Sequence, residues 1–96
     1  MYPLKIRAQA GETAAEFTLT GGMGYTAVTF TGLDRFDGWR LQQKQGDGWE
    51  ALDQSVHGND YWQCRFDAEA GSYELTYNVP CSGDPEQTQV FRLVRR

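Results

Sequence analysis

Residues 41–52 read LQQKQGDGWEAL. Two short runs alternate apolar and polar side chains on either side of Gly46-Asp47-Gly48, residues that tolerate positive φ at a tight turn. This is the pattern of a β-hairpin. Pairing Lys44 with Trp49 sets Leu41 opposite Leu52, and the two-residue period puts Trp39 on the same inward face. Arg40, Gln42, Lys44 and Trp49 then share the outward face. A register slipped by one residue would turn the second strand over. The first register is expected because it buries Leu52.

The same period continues in both directions. Strands are expected at residues 3–9, 14–20, 25–32, 38–45, 49–53, 60–66, 72–79 and 88–95, separated by Gly, Asp and Asn. Their inward positions are Leu4 and Ile6, Phe17 and Leu19, Val28 and Phe30, Trp39 and Leu41. Downstream they are Trp62, Cys64 and Phe66, then Tyr73, Leu75, Tyr77 and Val79. No apolar stripe of helical period exceeds a turn or two. With no linker and no internal repeat, the 96 residues read as one all-β domain, residues 1–96. The expected fold is a β-sandwich of seven or eight antiparallel strands.

A hairpin around DAEAGS (residues 67–72) would set Phe66 opposite Tyr73 and Cys64 opposite Leu75. Cys81 would then lie about 20 Å further along the sheet, whereas a disulfide needs Cα atoms within about 7 Å. If the chain instead crosses between sheets here, the strands sit in different sheets and the distance stays large. Two thiols are expected, with Cys64 buried as a small apolar side chain.

Composition narrows the function. Nine Lys and Arg against thirteen Asp and Glu give a net charge of −4. A phosphate-tracking nucleic-acid binder would be basic, so nucleic acid is not an expected partner. No basic amphipathic stretch and no run of about 18 apolar residues points to a membrane. The first residues, MYPLKIRAQ, lack the apolar segment of a signal peptide.

The densest cluster of functional side chains is QSVHGNDYW, residues 54–62. His57 is the only histidine. Ser55 lies too close in sequence to serve it as nucleophile, and no G-x-S-x-G elbow exists. Asp53, Asn59 and Asp60 offer oxygens to calcium, but not at EF-hand spacing. The stretch reads as a loop whose polar side chains bond their own backbone. Most other acids fall in turns (Asp34, Asp37, Asp47, Asp84), and a small sandwich rarely builds the paired-carboxylate cleft of a glycosidase. No catalytic residue, metal or cofactor is expected, and the isolated domain is not expected to be an enzyme.

Three Trp, five Tyr and five Phe are a high aromatic load, most of it inward-facing. Trp49 and Tyr61 fall on outward phases with Arg40, Gln42, Gln63 and Arg65. An exposed ring stacks on the apolar face of a pyranose while amides and guanidiniums bond its hydroxyls. Trp49, Tyr61, Arg40, Gln42 and Gln63, with His57 at the rim, are therefore the candidate carbohydrate site. The alternative is that these rings pack against a neighbouring domain.

Residues 69–75, EAGSYEL, resemble the D-x-G/A-x-Y-x-C signature of immunoglobulin-like sandwiches. The resemblance makes Tyr73 a tyrosine-corner residue and puts Leu75 in place of the second bridge cysteine. Trp39 follows Val28 by eleven residues, close to the family's Cys–Trp spacing, with Val28 in place of the first cysteine. Both bridge positions are apolar, a departure that leaves packing to hold the sheets. Residues 38–80, about half the chain, also resemble accessory β-sandwich domains of bacterial secreted glycoside hydrolases, such as the C-terminal domain of family 98 enzymes. The shared features are the Trp-led strand, the DGW hairpin, the DQSVHGNDYWQ loop and the GSYELTYNV strand. This resemblance implies a non-catalytic immunoglobulin-like module that binds carbohydrate or packs on a neighbouring catalytic domain. As part of a longer secreted chain it would be extracellular or on the cell surface.

Overall fold

The computed structural model describes residues 4–52 and 61–95. It is all-β, with eight strands and no helix among these residues. They are β1 (Leu4–Arg7), β2 (Thr13–Thr20), β3 (Tyr25–Leu33), β4 (Trp39–Gln45), β5 (Gly48–Ala51), β6 (Gln63–Asp67), β7 (Ser72–Pro80) and β8 (Thr88–Arg95). Sheet A runs β1-β3-β7-β6 and sheet B runs β2-β8-β4-β5.

The inner faces of both sheets meet in one apolar core. Val28, Phe30, Leu75, Tyr77 and Val79 come from sheet A, and Phe17, Leu19, Trp39, Leu41, Phe91 and Leu93 from sheet B. Phe17 stacks on Phe91 within sheet B, centroids 5.2 Å apart, and reaches Phe30 of sheet A at 5.8 Å. Tyr77 meets Phe30 edge-on at 5.6 Å. Offset and edge-to-face contacts of this kind suit the ring quadrupole. Trp39 closes one end at 3% exposure, its indole N–H donating to the Arg35 carbonyl at 3.0 Å.

Both hairpins take the expected registers. Lys44 pairs with Trp49, and the Leu52 N–H donates to the Leu41 carbonyl at 2.9 Å. Leu41 is fully buried and Leu52 packs against the core. In the second hairpin Cys64 pairs with Leu75 and Phe66 with Tyr73. Cys64 and Cys81 both remain thiols.

Four features depart from the sequence reading. First, β1 runs parallel to β3, with Leu4 beside Val28 and Ile6 beside Phe30, so the sheets are not wholly antiparallel. Second, the alternation of β3 breaks between Phe30 and Leu33, where the register with β7 shifts at Gly32 (φ +77°). A left-handed glycine is the usual way to insert a bulge residue, and here it lets both Phe30 and Leu33 face inward. Third, β7 pairs with β3, setting Phe30 beside Leu75 and Val28 beside Tyr77. Val28 and Leu75 therefore sit on adjacent strands of one sheet and do not face each other across the sandwich. Tyr73 begins a hairpin strand, not one that crosses between sheets.

The fourth departure is at β6. Trp62, Cys64 and Phe66 were expected in the core, but Trp62 is 62% exposed, Phe66 52%, and Cys64 is exposed as well. Among the described residues β6 is an edge strand, bonded to β7 alone. Cys64 and Phe66 stand on the inner phase with buried Leu75, but beyond the part of the sheet that the core covers. Alternation decides which side a residue takes, not whether the facing sheet extends far enough to bury it.

Candidate functional site

Two surfaces carry groups capable of recognition. The first is the outer face of sheet B. Here Arg40, Gln42 and Lys44 of β4 alternate outward, Lys44 pairs with Trp49 of β5, and Gln42 pairs with Arg92 of β8. The Arg92 Nε donates to Gln42 Oε1 at 2.7 Å, and its guanidinium lies 4.0 Å from the Trp49 ring centroid. One hydrogen bond and one cation–π contact thus brace three strands and hold the half-buried indole against the sheet. Trp49 and Gln42 are linked through Arg92, while Arg40 shares their outward face further along β4, paired with Val94. Arg92 is the member that sequence reasoning missed. It lies 50 positions from Gln42 in the chain, and only the β4–β8 pairing brings it there.

The remaining candidates part company. Gln63 pairs with Thr76 on the outer face of sheet A, on the far side of the core from Trp49. Tyr61 does not point outward as expected but packs against the core. Its phenol is held above the ordinary tyrosine range, first by burial and then by the nearby Cys64 and Asp37. The chain bends at Trp62, whose N–H donates to the Thr76 carbonyl at 2.8 Å, so strand alternation does not extend back to residue 61. His57, Ser55, Asp53, Asn59 and Asp60 lie outside the described residues. Among the described residues, no group of three or more His, Cys, Asp or Glu side chains is placed to hold a metal ion. Nor, among the described residues, is any helix long and apolar enough to cross a membrane.

The second surface is a trough along the outer face of sheet A. Its floor is the central pair β3 and β7, and its walls are the edge strands β1 and β6. One segment of 460 Å³ is lined by Lys5, Arg7, Thr31, Gly32, Arg65, Asp67, Ala70, Ser72 and Glu74. A second, of 210 Å³, continues it past Lys5, Arg65 and Glu74 to Thr29, Thr76 and Gln63. Glu74 sits in the floor at 8% exposure, ion-paired with Arg65 and with Lys5, whose Nζ is 3.9 Å away. The Thr29 and Thr76 hydroxyls are 2.9 Å apart. The Arg65–Glu74 pair is implied by the hairpin register. The approach of Lys5 and Arg7 follows from the parallel β1–β3 pairing, which nothing local announces.

A third feature is apolar. Tyr73 contacts Phe66 at 4.9 Å and Phe36 at 5.7 Å, forming a short aromatic run. Phe36 is 46% exposed, like the neighbouring rings of the β6 edge.

The chain matches no protein-family profile, no curated protein and no solved structure.

Proposed function

We propose that this domain is a non-catalytic accessory module of a glycan-active protein, binding carbohydrate weakly through the Trp49 face of sheet B. The observation that carries the reading is the indole of Trp49, backed by Arg92 and flanked by Gln42 on an open sheet surface. A ring so fixed loses little freedom when a pyranose stacks on it, and amide and guanidinium groups beside it suit sugar hydroxyls. The immunoglobulin-like architecture has support in the strand order. With β7 as strand E and β8 as strand F, sheet A follows A-B-E-D and sheet B follows G-F-C-C′. In that scheme β2 takes the place of the last strand and Trp39 begins strand C, while β1 runs parallel to its neighbour and Tyr73 and Leu75 fall on strand E instead of strand F. Such a module would act outside the cell, as part of a longer secreted chain.

Binding to an array of neutral glycans, measured with the wild-type chain and Trp49→Ala, tests this reading. Binding is expected to disappear in the variant while the circular-dichroism spectrum is retained. Loss of one exposed cation–π contact, about 0.5–1 kcal/mol, lowers the melting temperature by no more than about 8 °C. Glycan binding that survives Trp49→Ala would remove the proposal. Turnover of a glycan by the isolated chain would overturn its non-catalytic part.

A second reading, a structural domain that packs on a catalytic partner, draws on the exposed rings of Trp62, Phe66 and Phe36. Apolar clusters at this exposure mark contact surfaces. Under this reading a neighbouring catalytic domain is retained by the wild-type chain and lost from Phe66→Ser, with Trp49→Ala without effect.

A further inference from the structure

We propose that the outer face of sheet A is a second binding surface, shaped for an acidic saccharide chain bearing carboxylate or sulfate groups. That the ligand is a saccharide rests on the carbohydrate-binding reading above; that it is anionic rests on the trough itself.

Two rows of side chains cross the sheet, the first in continuous register and the second interrupted by the β3 bulge between Thr31 and Glu74. In the first, Lys5 pairs with Thr29, Thr29 with Thr76, and Thr76 with Gln63. It presents a cation, two hydroxyls and an amide in line. In the second, Arg7 pairs with Thr31 from one edge and Arg65 with Glu74 from the other. Cations therefore stand on both walls, with hydroxyls between them.

The charges are sorted by depth. The side chains of Lys5 and Arg65 are 72% and 64% exposed, whereas that of Glu74 is 10% exposed beneath them. Asp67 is turned toward its own hairpin loop, where its Oδ1 accepts from the N–H groups of Glu69 at 3.1 Å and Ala70 at 3.3 Å. Arg7 is exposed and makes no ion pair among the described residues. A ligand lying in the trough meets Lys5 and Arg65 before it meets Glu74, and one oxygen of Asp67 is held by its own loop. This is a positive track on a chain whose net charge is −4.

The lining also fixes the ligand chemistry. No aromatic ring lines either segment of the trough, so ring stacking is not the attraction. Guanidinium matches carboxylate and sulfate in two-pronged geometry. The Thr29 and Thr76 hydroxyls bond each other once and retain capacity for sugar hydroxyls. Glu74 orients Arg65 and Lys5 without neutralising Arg7. A uronic acid or sulfated sugar, charged at one position and hydroxylated around the rest, complements both rows.

The test is titration calorimetry of the whole chain. The probes are an oligouronate, a sulfated oligosaccharide, a neutral oligosaccharide of equal length and inorganic polyphosphate. The acidic saccharides are expected to bind, to weaken as salt rises, and to lose about tenfold in affinity in Arg7→Gln. Lys5→Gln is expected to act similarly, and Trp49→Ala to leave this binding intact. Arg7 is exposed, so Arg7→Gln should keep the wild-type melting temperature. Equal binding of neutral and acidic saccharides, or indifference to both cation variants, would overturn the proposal. So would polyphosphate binding as tightly as the oligouronate, which would reduce the trough to simple ion exchange. Neutral-glycan binding that depends on Trp49, with no acidic binding, would sink this inference alone. Acidic binding that depends on Arg7, with no neutral binding, would sink the Trp49 reading alone.

Discussion

At the scale of single residues, the inward aromatics of β2, β3, β4 and β7 are buried or half-buried as alternation predicts, whereas Trp62 and Phe66 are exposed and the polar groups around Trp39 come from elsewhere. Trp39 is buried as its phase requires. Around its indole stand the guanidiniums of Arg35 at 5.8 Å and Arg95 at 4.5 Å. Arg95 also donates to Asp34 Oδ2 at 3.0 Å and to the Gly11 carbonyl at 3.3 Å. The hydrogen bond from Arg95 is the largest cause holding the Asp34 carboxyl below its ordinary 3.8. A depressed folded value means that the pairing adds stability above the unfolded pKa and loses it as pH falls through the folded one. Asp34→Asn should therefore be slightly less stable than wild type near neutrality. The gap should close as pH falls through and below the ordinary carboxylate range, as followed by urea unfolding across pH. A constant gap over the whole range would mean that the charge of Asp34 is irrelevant. The sequence suggested Asp34 as a turn residue. Its partner lies sixty-one positions away, beyond the reach of any local pattern.

At the scale of elements, strand positions and hairpin registers were legible because both are short-range. A strand shows its period within a few residues, and a turn needs only a few residues of the right kind. Gly46, at φ +61°, takes the left-handed conformation the hairpin reading required. Burial was less legible, and β6 shows why. Its inner-phase residues have the same alternation as those of β7, yet only β7 lies under the opposing sheet. This difference is measurable. Phe30→Ala, at a position with no exposure, should cost about 3–5 kcal/mol, much of the stability of a domain this size. Phe66→Ser, at a half-exposed position, should stay within about 0.5 kcal/mol. Denaturant midpoints would compare the two. Similar losses would mean that β6 is covered after all.

At the scale of the whole molecule, the chain closes on itself through its last strand. β8 lies in the middle of sheet B, bonded to β2 on one side and β4 on the other. Phe91 and Leu93 of β8 are fully buried. Deleting residues 88–95 should abolish the cooperative thermal transition, since β2 would lose the one strand bonded to it among the described residues. Removing the edge strand β1, residues 4–7, should lower the melting temperature but leave a transition. A truncation at 87 that still melts cooperatively would contradict this topology. The sequence alone determined that the chain is all-β, where its strands lie, which side chains alternate inward, and how the two hairpins pair. These properties depend on backbone geometry within a few residues. Only the tertiary structure decided the parallel docking of β1, the joining of β2 to β8 and the overhang of β6. It also moved Gln63 to the opposite face from Trp49 and assembled the charged trough. Each of these depends on contacts between segments far apart in the chain, and no spacing within a single strand encodes which distant strand will lie beside it.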